Sequence, residues 1–304
     1  MTRPGLSLVR IGSRGSPLAL WQANWVKARL NDHGFSVEIE IIHTTGDRIQ
    51  NMLLSEAGGT KALFVKEIEE ALLDGQVDVA VHSLKDMPAE IPEGLVLAAI
   101  PEREDPRDVL IGRMEAGARI GTSSLRRAAQ LHARFPGMTI EPLRGNLDTR
   151  MRRLDEGKWD GIVVAAAGLN RLGIPVGEPP RIARYLSVEE MCPAIGQGAL
   201  AIEVRAGESR ADFLEHPATR AAITAERTVM RVLGGGCKLP VGAHAWVVAG
   251  MLGMRALVAS PDGGRIVETF DAGRSGEAPE ELGRRVSEAL LAKGAKAILD
   301  EVGA

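Results

Sequence analysis

From Leu8 to Val204 the chain alternates short apolar runs of strand length with longer segments patterned as helices. That alternation restricts the fold more than any single motif. An apolar strand flanked by amphipathic helices buries both of its faces only in a sheet with helices on each side. Leu8 to Ile11 reads as a buried strand and Gly12-Ser13-Arg14-Gly15 as a turn. Ser16-Pro17 supplies an N-cap followed by proline in the first helical turn. A helix is predicted from Pro17 to Asp32, with Leu18, Trp21, Trp25 and Leu30 near one face, and it stops by Gly34. Val37 to Ile42 is a second strand, ending in His43-Thr44-Thr45-Gly46-Asp47. A helix over Ala62 to Leu73 and a strand over Val77 to His82 follow, and that strand runs into Ser83-Leu84-Lys85-Asp86-Met87-Pro88. This order predicts a parallel sheet, and ligands of such sheets lie beyond the carboxyl ends of the strands. Arg14, Thr45, Asp47, Lys85 and Asp86 are all expected there.

The charged stretch Pro101-Glu102-Arg103-Glu104-Asp105-Pro106-Arg107 reads as a crossover into a second α/β segment. Val109 to Gly112 and Arg119 to Gly121 are predicted strands. The second leads into Thr122-Ser123-Ser124-Leu125-Arg126-Arg127, the start of a helix that ends before Pro136-Gly137. Hydroxyls and free N–H groups at a helix N-terminus hold anions, and two arginines there add to the effect. The pattern repeats with a strand over Met138 to Glu141, the loop Leu143-Arg144-Gly145-Asn146, and a helix from Leu147 carrying Arg150, Arg152 and Arg153. A strand over Trp159 to Ala165 then leads to Ala167-Gly168-Leu169-Asn170-Arg171. Pro193 to Leu200 is a glycine-punctuated return to the first segment, entering a strand over Ala201 to Val204 and implying a two-lobed, hinged body.

The remainder reads as a small α+β unit. A helix over Pro217 to Leu233 leads into Gly234-Gly235-Gly236-Cys237-Lys238. Strands are expected near 242–248, 253–260 and 265–271, and one or two helices between 278 and 300. The three glycines keep bulk away from the Cys237 sulfur, and the following lysine favours its thiolate, which suits covalent attachment. The alternative for a lone cysteine is a small apolar residue in a tight turn.

Several arginines thus stand at strand-to-helix junctions. Each alone reads as a surface charge or a structural ion pair, and Arg152 and Arg153 read as a solvated face. Together Arg126, Arg127, Arg144, Arg150 and Arg171 imply a ligand with several anionic groups, because the guanidinium fork matches carboxylates and phosphates. Nucleic acid fits less well: the net charge is −3 and only 3% of the 304 residues are aromatic. No Walker-type loop or dinucleotide fingerprint is present. Two cysteines, Cys192 and Cys237, give no disulfide framework and suit a reducing compartment. No apolar stretch is long enough to span a bilayer and no presequence precedes the first strand, so a cytoplasmic protein is expected.

The motifs resemble, in order and over almost the whole chain, those of the porphobilinogen deaminase (hydroxymethylbilane synthase) family. The resemblance is carried by Ser16 to Ala23, Thr44-Thr45-Gly46-Asp47, Leu63-Phe64-Val65-Lys66-Glu67 and Val81 to Pro88. It continues through Arg103 to Asp108, Gly121 to Arg127, Leu143-Arg144-Gly145-Asn146, Gly196-Gln197-Gly198-Ala199 and Gly234 to Cys237. Gly15, where the family more often has a bulkier residue, and Cys192 are the departures noted.

The resemblance implies stepwise head-to-tail condensation of four porphobilinogen molecules with release of ammonia, then hydrolysis to a linear hydroxymethylbilane. It implies a dipyrromethane cofactor held by a thioether to Cys237, and Asp86 as the catalytic carboxylate; on the residues alone Asp86 reads as a loop cap before Met87-Pro88. Lys85, Thr122, Ser123, Ser124, Arg126, Arg127, Gly145 and Asp86 itself are then expected to hold the cofactor. Arg14, Ser16, Lys61, Phe64, Arg144, Arg150, Arg171 and Gln197 are expected to meet substrate. Phe64 has a core role as its alternative. His82, at a strand end, reads as structural. No metal and no nucleic-acid or membrane partner is expected, and a monomer is implied.

The expected fold is two hinged α/β lobes resembling type II periplasmic binding proteins, plus a small C-terminal α+β domain. The domains expected are 1–102 with 193–217, then 103–192, then 218–304. Two rivals stay open on the residues alone. A two-lobed anion-binding protein would turn nothing over, and it leaves Cys237 and the Lys85-Asp86 pair without a reason. A different cysteine-dependent transferase would need a base near Cys237, where the local sequence offers only Lys238 and the more distant His244.

Overall fold

The structure is a computed structural model describing residues 7–45, 65–179, 181–234 and 239–303. In chain order it has β1 (Leu8–Ser13), α1 (Pro17–Asp32), β2 (Ser36–Ile41), α2 (Lys66–Leu73), β3 (Val79–Ser83) and β4 (Leu95–Ala99). There follow β5 (Asp108–Gly112), β6 (Arg119–Gly121), α3 (Leu125–Arg134), β7 (Thr139–Glu141), α4 (Leu147–Asp155), β8 (Gly161–Ala165), α5 (Ala166–Leu172) and β9 (Ala183–Leu186). The rest comprises β10 (Leu200–Arg205), α6 (Pro217–Val232), β11 (Val241–Val248), β12 (Met251–Ala259), β13 (Ile266–Ala272), α7 (Pro279–Ala292) and α8 (Ala295–Gly303).

The chain forms two compact units, one of residues 1–102 with 199–217, the other of residues 103–198 with 218–304. Unit 1 holds a five-stranded sheet in the order β2-β1-β3-β10-β4. β1 pairs in parallel with β2 and β3, as the βαβαβ pattern predicts, whereas β10 runs antiparallel to β3 and β4. α1 covers one face, where Val26 and Leu30 pack on Val9, Ile11 and Val81. α2 covers the other, where Ile68 and Leu72 pack on Val77 and Ala80.

Unit 2 holds a sheet in the order β7-β6-β8-β5-β9 and a three-stranded meander, β11-β12-β13. In the five-stranded sheet β6 pairs in parallel with β7 and β8, and β5 runs antiparallel to β8 and β9. The reversed strand of each larger sheet, β5 and β10, is the one that follows a passage of the chain from one unit to the other. Gly283 of α7 sits so close to α6 that a Cβ would lie 2.5 Å from the Ala225 carbonyl oxygen.

Two strands go unread in the sequence. β4 is a short apolar run between Gly94 and Pro101, and β9 is an edge strand whose exposed Arg184 and Tyr185 dilute the apolar pattern. The stretch after β8 is helical, so Arg171 stands in the last turn of α5 and not at its start.

Candidate active site

In unit 1 the carboxyl end of β3 passes into a single 3₁₀ turn, Leu84–Asp86. Leu84 and Met87 are buried and anchor the turn, while Lys85 and Asp86 between them stay half-buried. The backbone holds it as well: Leu84 N donates to the Ala199 carbonyl at 3.0 Å and Met87 N to the Leu84 carbonyl at 3.1 Å. Beneath the turn, Gln22 of α1 donates from Nε2 to Ser83 Oγ at 2.8 Å. The Asp86 carboxylate has no hydrogen bond or ion pair with any of the described residues. At the end of β1, Arg14 and Ser16 are half-buried, and Ser16 Oγ accepts from Ala19 N at 3.4 Å as the cap of α1.

His82 belongs to the interior. Its Nε2 lies 3.0 Å from Glu203 Oε2, and both side chains are buried. Burial, together with the charge of Glu203, pushes the carboxyl of buried Glu69 up to about 7, against an opposing pull from His82. The folded pKa is thus above the unfolded one. The stability this group contributes is complete below the ordinary carboxylate range and is lost as the pH rises through about 7. Glu69→Gln removes that dependence. Thermal midpoints of the two proteins, taken from about pH 5 to about pH 8, are expected to move in the variant's favour as the pH rises. A constant difference across the range would show that Glu69 is ionised throughout.

In unit 2 the strand end of β6 leads to Thr122, Ser123 and the N-terminus of α3. Ser124 caps the helix by accepting from Arg127 N at 3.4 Å, and Thr122 Oγ1 accepts from Ser124 N at 3.2 Å. Ser123 is exposed. Arg126 and Arg127 are buried in the first turn. Arg127 donates from Nε and Nη2 to Asp108 Oδ1, at 3.1 and 2.7 Å, and from Nη1 to the Val163 carbonyl at 3.0 Å. Arg126 Nη1 reaches Asp108 Oδ2 at 2.8 Å and the Cys192 carbonyl at 2.6 Å. Its Nε is buried with no hydrogen-bond partner. The Cys192 thiol is pushed up to about 12 by burial, which keeps it a neutral packing group.

The other predicted residues are spread along the same unit. Gly145 has φ +106° and a Cβ there would lie 2.9 Å from Thr149 Cγ2, so the loop before α4 requires glycine. Arg150 Nε donates to the Gly145 carbonyl at 2.8 Å, and Arg144 is half-buried in the same loop. Arg171 is buried, donates to the Gly198 carbonyl at 2.8 Å, and is lowered to about 10 by that burial, which leaves it a cation at neutral pH. Gln197 is buried too, donating from Nε2 to the Pro106 carbonyl at 2.8 Å and to Asp108 Oδ1 at 2.9 Å. Lys61, Phe64 and Cys237 lie outside the described residues.

Asp108 is absent from the site residues that the sequence leads one to expect. The signal that could have found it is an acidic residue opening the wholly apolar run Val109-Leu110-Ile111, in a chain with two adjacent arginines to neutralise.

The donor set fits a ligand bearing several carboxylates. Two buried guanidiniums face one buried carboxylate, a buried N–H has no acceptor, and the N-terminus of α3 with its exposed Ser123 hydroxyl lies beside them. Dipyrromethane side chains are acetates and propionates, which supply such acceptors.

A family model described as porphobilinogen deaminase, dipyromethane cofactor binding domain, matches residues 9–212, and one for the C-terminal domain of porphobilinogen deaminase matches residues 220–292. The chain is 48% identical to a porphobilinogen deaminase of Laribacter hongkongensis, over 97% of this chain and 98% of that one. It is 49% identical to one of Syntrophotalea carbinolica, over 96% of this chain and 95% of that one. Among solved structures, an ABC-transporter periplasmic substrate-binding protein from Coxiella burnetii aligns over 68% of this chain and 89% of its own, at TM-score 0.40 and 17% identity. That agreement is too loose to bear on function. The matched family regions together span nearly the entire sequence, and on that ground the chain belongs to the porphobilinogen deaminase family.

Proposed function

We propose that this protein condenses four porphobilinogen molecules head to tail, releasing ammonia at each step, and hydrolyses the product to hydroxymethylbilane. The observation in the structure that supports this best is the buried, acceptor-free Nε of Arg126 in the first turn of α3, within the region matched as a dipyrromethane-binding domain. The cofactor, when bound through Cys237, supplies the pyrrole carbon on which the chain grows.

The residues divide by chemistry. Arg126 and Arg127, with Lys85, would hold cofactor carboxylates through charge-assisted hydrogen bonds. Thr122, Ser123, Ser124 and the Gly145 backbone would complete that grip. Arg14, Arg144, Arg150, Arg171 and Lys61 would take the acetates and propionates of incoming substrate, with Ser16, Gln197 and Phe64 completing its contacts. Asp86 would stabilise positive charge developing at a pyrrole N–H and accept the proton that leaves during bond formation. Its carboxylate is committed to no other described group, which suits that task.

The chain is proposed to work as a cytoplasmic monomer, without nucleic acid or membrane. Among the described residues no helix is long and apolar enough to cross a bilayer. Residues 218–304, with their own three-stranded sheet, are proposed as a third domain whose sequence includes the attachment cysteine, Cys237.

Intact mass of the denatured protein tests this directly. The wild type is expected to exceed its sequence mass by two linked pyrrole units, and Cys237→Ala to match its bare sequence. A wild type that stays at the bare mass after incubation with porphobilinogen would overturn the assignment. An adduct retained by Cys237→Ala would move the attachment elsewhere.

A further inference from the structure

Arg126 and Arg127 occupy a position that helix electrostatics disfavours. The N-terminus of a helix carries partial positive charge, so cations there are repelled, and burying two together adds mutual repulsion and desolvation. The compensating group is Asp108. It opens β5 and is fully buried, with Ala165 of β8 and Leu186 of β9 as its Cα partners on either side. Its backbone is therefore fixed by two neighbouring strands. Oδ1 accepts from Arg127 Nε and Nη2 and, at 2.9 Å, from Gln197 Nε2; Oδ2 pairs with Arg126 Nη1 at 2.8 Å. Burial alone would raise this carboxyl, but the two guanidiniums hold it well below the usual carboxylate range.

We propose that Asp108 is a positioning residue for cofactor capture: its strand-fixed carboxylate sets both guanidiniums in place and leaves Arg126 Nε available to a ligand carboxylate. The inference rests on the proposed cofactor role of Arg126. Two anchors already fix the Arg126 head, Asp108 Oδ2 and the Cys192 carbonyl, and the latter is itself clamped by Gln130. A guanidinium fixed before the ligand arrives loses little conformational freedom on binding, and preorganisation of this kind raises affinity. Removing the Asp108 charge leaves two buried cations with only carbonyl acceptors, and they are expected to move apart. Gln197, the third donor to Asp108, joins the same network from the return connector through Nε2, while its buried Oε1 has no hydrogen-bond partner.

The test uses full-length protein made in cells that lack porphobilinogen, then incubated with porphobilinogen. Covalent loading is followed by intact mass, and folding by circular dichroism well below the thermal midpoint. Asp108→Asn is expected to raise the porphobilinogen concentration needed for half-maximal loading by about 10- to 100-fold, the value of a charge-assisted contact, while remaining folded. Should the asparagine variant not fold, Asp108→Glu keeps the charge but moves it by one methylene, and it is expected to load poorly as well. Wild-type loading by either folded variant overturns the proposal. Arg126→Leu is run in parallel. If it loads normally, the cofactor reading of Arg126 itself fails; if it loads poorly while a folded Asp108 variant loads normally, only the positioning role fails.

Discussion

Replacing Asp86 by asparagine is expected to leave the protein folded and to cut turnover by about 10²- to 10⁴-fold, the range a positioned acid–base group contributes. The two halves of that expectation come from different observations. The 3₁₀ turn is held by the buried side chains of Leu84 and Met87 and by backbone hydrogen bonds to the carbonyls of Ala199 and Leu84. None of these uses the Asp86 carboxylate, so its amide isostere is expected to change stability by less than about 0.5 kcal/mol. The charge is another matter. A carboxylate placed where positive charge develops stabilises the transition state without reorganising, and an amide of equal shape cannot do so. Turnover, thermal midpoint and the covalent adduct are measured on one sample. Lost turnover with an unchanged midpoint and a full adduct assigns the defect to chemistry. Near-normal turnover removes Asp86 from that role, and a fall in midpoint of the same order would make it a structural residue.

Much of the fold was legible because α/β architecture depends on local patterns. Ser16-Pro17 marks the start of α1, and the periodicity carries it to Asp32. The strands expected near 242–248, 253–260 and 265–271 are β11, β12 and β13. What escaped has a common cause. β4 and β9 are edge strands of their sheets, where one side of the ladder is open and the sequence signal is weak. The reversal of β5 and β10 depends on which way the chain re-enters a sheet, and no local pattern records that.

The candidate site divides similarly. Arg126 and Arg127 were conspicuous as adjacent cations at a helix start. Asp108 was not, because its partners lie 18 and 19 residues away along the chain and a lone acid beside a charged stretch reads as solvated. Glu226, in the middle of α6, escaped for the same reason.

Glu226→Gln is expected to destabilise the protein by about 3–5 kcal/mol, the cost of leaving a buried partner charge uncompensated. Glu226 is fully buried and ties together segments far apart in the chain. Its Oε1 accepts from Arg103 Nη1 at 2.5 Å and from Ala245 N of β11 at 2.8 Å; its Oε2 accepts from Gly196 N at 2.7 Å and from Arg103 Nη2 at 3.3 Å. Arg103 also donates from Nε to the Gln197 carbonyl at 2.7 Å. One carboxylate therefore joins the crossover at Arg103, the return connector, α6 and the C-terminal sheet. Burial would raise the Glu226 carboxyl, but Arg103 foremost, with His244, holds it below its ordinary value. The pair's contribution is accordingly complete above the ordinary carboxylate range and lost only as the pH falls through the lowered value, so urea unfolding at neutral pH measures it in full. The double variant Arg103→Leu with Glu226→Leu separates the two kinds of interaction. It removes both charges but strands the N–H groups of Gly196 and Ala245, each worth about 1–3 kcal/mol when left without an acceptor. It is expected to recover part of the loss and to stay well below the wild type. Full recovery would reduce Glu226 to a charge partner for Arg103, and a Glu226→Gln protein within about 1 kcal/mol of wild type would remove it as the joint that holds these segments together.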